Sequence, residues 1–135
     1  FLALLWFLRA HAPDACTREV AQLAAQDEAR HVAFGLAHLA RHIGEDPTLR
    51  DRLAAALERR DAALAQTAGL NEEVFDALIL LAAGSWDPGA LRRGHAAVVE
   101  LQKEMDEGRR SRLVRLGFSP DQAASLSSLH TRNFM

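Results

Sequence analysis

Apolar residues recur along the chain at the three- and four-residue steps of a helix, and the pattern breaks at Pro13, Pro47, Pro88 and Pro120. The apolar opening run predicts a helix over residues 1–11, stopped at Ala12-Pro13 because the residue before a proline is pushed out of the α region. Asp14 has the short acceptor side chain of an N-cap. From there to Ile43 the good helix formers Ala, Leu, Gln, Glu and Arg dominate, so one long helix is expected, with Gly44 as its stop. Asp46-Pro47 would open a third helix that carries Leu49, Leu53, Leu57 and Leu64 up to Gly69. Asn71-Glu72-Glu73 puts acids at the positive end of a shorter helix, expected to be buried and closed by Gly84. A long charged helix over residues 89–116 and a last one running from Ser119-Pro120-Asp121 to about His130 complete the chain. No stretch alternates apolar and polar residues at strand spacing. The expected fold is an all-α helical bundle, and with no repeat or compositional break, residues 1–135 read as a single all-helical domain.

Composition narrows the classes. A chain of 135 residues, 49% hydrophobic and 25% charged, can bury a real core. Its net charge of -2 gives no electrostatic reason to expect nucleic acid or an anionic membrane as partner. The single cysteine, Cys16, excludes an intrachain disulfide and a thiolate metal cluster, so a cytoplasmic location is expected, with Cys16 itself structural and buried. The opening apolar run meets Arg9 after eight residues, with no basic region before it; it predicts a buried helix end, neither a signal peptide nor a membrane span. It also starts in mid-pattern without a methionine, which predicts further residues upstream.

The chemistry is concentrated in Asp27-Glu28-Ala29-Arg30-His31. In a helix, Glu28 and His31 stand three residues apart on one face. Iron and manganese accept carboxylate oxygen and imidazole nitrogen together, and this spacing lets both reach one ion without bending the helix. Asp27 and Arg30 are placed to orient the pair and balance its charge. A Glu-x-x-His pattern by itself is also what an ordinary solvated helix face shows. Beyond the pair, Gly35, His38 and His42 continue the same face, beside an apolar stripe of Val32, Leu36, Leu39 and Ile43. His38 and His42 read as end-of-helix capping or snorkelling groups before ligands.

The string Asp27-Glu28-Ala29-Arg30-His31-Val32-Ala33-Phe34-Gly35 resembles the last ligand helix of ferritin-like di-iron carboxylate proteins. The resemblance covers residues 1–43, the end of a ferritin-like four-helix bundle, and leaves residues 44–135 as additional C-terminal helices. It implies metal ligation by Glu28 as a bridging carboxylate and by His31 as a terminal ligand, with Asp27 and Arg30 behind them. It further implies two iron ions, or an iron and manganese pair, and an oxidase or oxygenase acting with O₂ on a small organic molecule. The remaining ligands would come from outside this segment, from a missing N-terminal half of the bundle or from a homodimer partner, because Glu19 falls on the opposite face.

Arylamine N-oxygenases of that superfamily have a further histidine where this chain has Ala24, and the absence of tyrosine excludes a tyrosyl radical within these residues. Two alternatives stay open: a non-catalytic bundle serving as a structural or interaction module, and iron storage. His95 with Glu100 and Glu104 splits across helix faces, the arginines at 109, 110, 112 and 115 fit the negative end of their helix, and Ser125, Ser127 and Ser128 lack a nucleophile elbow.

Overall fold

A computed structural model describes residues 1–64 and 70–131. Among them the chain is all-helical: α1 (Leu2–Ala10), α2 (Ala15–Glu45), α3 (Leu49–Leu64), α4 (Leu70–Ala83), α5 (Pro88–Arg115) and α6 (Pro120–Thr131). Residues 65–69, where the third helix was expected to end at Gly69, lie outside the described residues.

Local capping chemistry explains most of the boundaries. Asp14 accepts the Thr17 amide at 2.8 Å and opens α2, and Asp87 accepts the Ala90 amide at 2.9 Å just before Pro88 opens α5. Ser119 and Gln122 form a reciprocal capping box at the start of α6, amide to side chain in both directions. Gly84 ends α4 with a φ of 66°.

Two boundaries depart from the sequence reading. Gly44 remains helical and α2 runs on to Glu45, because Asp46 leaves the α region and its amide still bonds to the His42 carbonyl. The third helix starts at Leu49 rather than at the proline, since the Asp46 side chain accepts from both the amide and the hydroxyl of Thr48 and so holds Pro47-Thr48 in a turn.

Two apolar clusters form the interior. Phe7 of α1, Leu78 of α4 and Val98, Leu101 and Met105 of α5 make one. Leu36 of α2, Leu113 and Leu116 at the end of α5, Phe118, and Ala123 and Leu126 of α6 make the other, with Leu53 and Leu57 of α3 against it. Full burial of each such large side chain stabilises by roughly 1.5–3 kcal/mol. α5 belongs to both clusters. The opening run is only partly the buried helix end expected of it: Leu5 and Phe7 are buried, whereas Phe1 and Trp6 are exposed. α4 is likewise two-sided, with Leu78 inside and Val74 exposed.

Close approach and polar clasps hold the helices in place. α4 and α5 are related by a bend of 119° and touch at Gly94, where an added Cβ would lie 2.4 Å from the Ile79 carbonyl oxygen. The buried Ser127 hydroxyl of α6 donates to Asp106 of α5 at 2.7 Å, and Arg109 donates back to the Ser127 carbonyl at 3.0 Å. Arg50 of α3 donates to the carbonyl of Gly117, whose φ of 89° turns the chain from α5 towards α6. Among the described residues no single helix is long and apolar enough to cross a membrane.

Two glycines give opposite expectations in urea denaturation. Gly94→Ala is expected to lose about 2 kcal/mol by overpacking against the α4 backbone, whereas Gly35→Ala, with nothing within 4 Å of the added carbon, gains about 1 kcal/mol of helix propensity. A second expectation concerns pH. The Thr17 amide, with help from its hydroxyl, holds the Asp14 carboxyl below the usual aspartate value. The stability from this cap is therefore present above the unfolded value and lost as pH falls through the folded one. The melting-temperature deficit of Asp14→Ala should accordingly be largest at neutral pH and shrink under acid.

Candidate metal centre

α2 carries the candidate ligands in its middle, where backbone hydrogen bonding is complete and the side chains are free to point outward. Glu28 Oε2 stands 3.6 Å from His31 Nδ1, too far for a hydrogen bond and close enough for both to face one small ion. Their surroundings differ: the His31 side chain is 77% exposed and that of Glu28 29%.

Helical geometry explains the difference. At about 100° per residue, the buried Ala21, Ala25 and Leu36 lie on the face of α2 turned to the rest of the protein. Val20, Leu23, Asp27, His31, Phe34 and His38 lie on the outward face, and Glu28 sits at the border between the two. The outward face mixes exposed apolar residues, Val20 61%, Leu23 55% and Phe34 73%, with the charged Asp27 and Arg30.

The other residues singled out in the sequence separate into local pairs. Asp27 and Arg30 form an exposed ion pair with each other. Ring contacts link Phe34 to His38 and His38 to His42, and His42 Nδ1 lies 3.1 Å from Glu45 Oε2 at the end of the helix. His42 thus pairs with a carboxylate of the last turn of α2. Cys16 is exposed, against the expectation of burial: it lies in the first turn of α2, before that helix meets the core. On α5, His95 is exposed and its ring meets Phe75 edge-on.

Among the described residues, no group of three or more His, Cys, Asp or Glu side chains is placed to hold a metal ion. One carboxylate and one imidazole suit an edge of an iron or manganese site, and not a whole one.

No family model, curated protein or solved structure matches the chain.

The sequence reading passed over one feature. Arg109 and Arg112, read as helix-end charge, line a cleft of about 310 Å³ between α5 and the start of α1, together with Trp6 and Met105. A sequence signal was present in Gly108, which removes a side chain one turn before Arg112, but nothing local says that α1 closes the other side.

Exposure of Cys16 makes a direct prediction. In native buffer a chromogenic disulfide reagent should label one thiol per chain at about the rate of a small free thiol; labelling seen only after denaturation would place Cys16 inside.

Proposed function

We propose that α2 supplies one Glu-x-x-His half of a ferritin-like di-metal carboxylate centre, in an oxidase or oxygenase that uses O₂ on an organic substrate. The observation that carries this reading is the convergence of Glu28 and His31 to 3.6 Å at the edge of the exposed side of a long helix. Asp27 and Arg30 flank the pair, and along the same exposed side of α2 stand Val20, Leu23 and Phe34, apolar residues of the kind a covering helix would bury.

In this reading Glu28 and His31 would be the residues of this chain that hold metal, while Asp27 and Arg30 would balance charge at the rim. Bound iron, or iron with manganese, would supply the redox chemistry that O₂ requires. The chain's own part is narrower. Glu28, already half-withdrawn from water at the border of the buried face, is held in place by the α2 backbone. His31 offers Nδ1 towards it, and the apolar residues on either side would exclude water once covered. The remaining carboxylates and the second Glu-x-x-His pair would come from helices beyond the described residues or from a second chain.

The same apolar face supports a second reading, a non-catalytic interaction module that keeps the motif without metal. Anaerobic Fe(II) loading followed by metal analysis separates the two. Iron retained by the parent protein and lost in Glu28→Ala and in His31→Ala, yet kept in Glu19→Ala, supports the metal centre. No retained iron, or retention unaffected by all three changes, defeats it.

A further inference from the structure

We infer that the cleft between α1 and α5 binds an amphipathic organic carboxylate, anchored by the Arg112 guanidinium and lying along Trp6 and Met105. This inference stands on α1 and α5 alone and does not depend on metal at Glu28 and His31.

The arginines of this turn of α5 are not equivalent. Arg110 pairs with Asp106 at 2.7 Å, and Arg109 donates to the Ser127 carbonyl at 3.0 Å. Arg112 is half-buried beside them, and no acidic side chain among the described residues lies within ion-pair distance of it. Its guanidinium folds back over Gly108, 3.3 Å from where a Cβ would stand, and so faces the cleft rather than the solvent beyond the helix. A partly desolvated cation without a counterion is an unfavourable arrangement that an incoming anion relieves. Burial pushes the Arg112 pKa down.

The rest of the cleft selects the body of the ligand. Met105, itself buried, and Trp6 line the cleft as well, so apolar side chains stand beside the cation. The guanidinium fork matches a carboxylate in two parallel hydrogen bonds. Glu104, two turns before Arg112 on α5, lines the cleft as well and repels an anion, which orients the carboxylate to the arginine end. A volume of about 310 Å³ holds a small acid rather than a long lipid.

Octanoate is a suitable probe, with octan-1-ol as its neutral counterpart, followed by Trp6 fluorescence in a Trp86→Phe background and by calorimetry. Saturable octanoate binding is expected, at least about tenfold tighter than octan-1-ol. The same loss is expected in Arg112→Met, with affinity kept or improved in Glu104→Gln. Equal binding of acid and alcohol by the otherwise unaltered chain overturns the inference whatever the variants do. So does an Arg112→Met protein of unchanged circular dichroism that binds octanoate as tightly as its parent, or the absence of saturable octanoate binding.

Discussion

The structure depends on α5 serving two cores at once. Its N-terminal half packs against α4 and α1 through Val98, Leu101 and Met105, and its C-terminal end packs against α2 and α6 through Leu113 and Leu116. A helix whose single buried face serves one cluster near its middle and another at its end has little freedom to shift, because a movement that relieves one cluster opens the other. Gly94 tightens the constraint: with no side chain there, the α4 backbone comes into direct contact, and the α4–α5 crossing is set by backbone atoms rather than by adjustable side chains.

From that anchored helix the functional surfaces follow. α1 lies between α5 and α2, so the start of α1 closes the arginine cleft on one side while the body of α1 supports α2 on the other. α2 buries the small Ala21 and Ala25 together with Leu36, and leaves Val20, Leu23 and Phe34 outward. Arg9 of α1, stacked over Trp6 and donating to Gln22 of α2, joins the two helices by a polar contact beside the apolar one. The Glu28 and His31 pair therefore rides on a helix held firmly from behind and open in front. That is the arrangement in which a second set of donors can approach without disturbing the fold.

The charge at the C-terminal end of α5 has several distinct roles. Arg110 and Arg109 are tied to Asp106 and Ser127, so they stitch α5 to α6 around a buried hydroxyl. Arg112, one turn on from Gly108, is turned to the cleft instead. Three arginines within four residues thus divide between stability and recognition according to what the neighbouring helix places opposite each of them.

The sequence by itself determined the all-helical class and most element boundaries, because these depend on contacts a few residues long. Asp14 finds the Thr17 amide and Ser119 finds Gln122 whatever the remainder of the chain does. The spacing of Glu28 and His31 likewise follows from helix geometry alone. Even local signals compete: the Asp46 backbone lets α2 run past Gly44, and the Asp46 side chain, through Thr48, delays the start of α3 beyond Pro47. Only the tertiary structure decided which face of α2 is covered, that Cys16 is exposed, that Ser127 is buried against Asp106, and that Arg112 shares a cleft with Trp6 and Met105. Burial depends on partners tens of residues away, and periodicity reports that a helix has an apolar side without saying what lies against it.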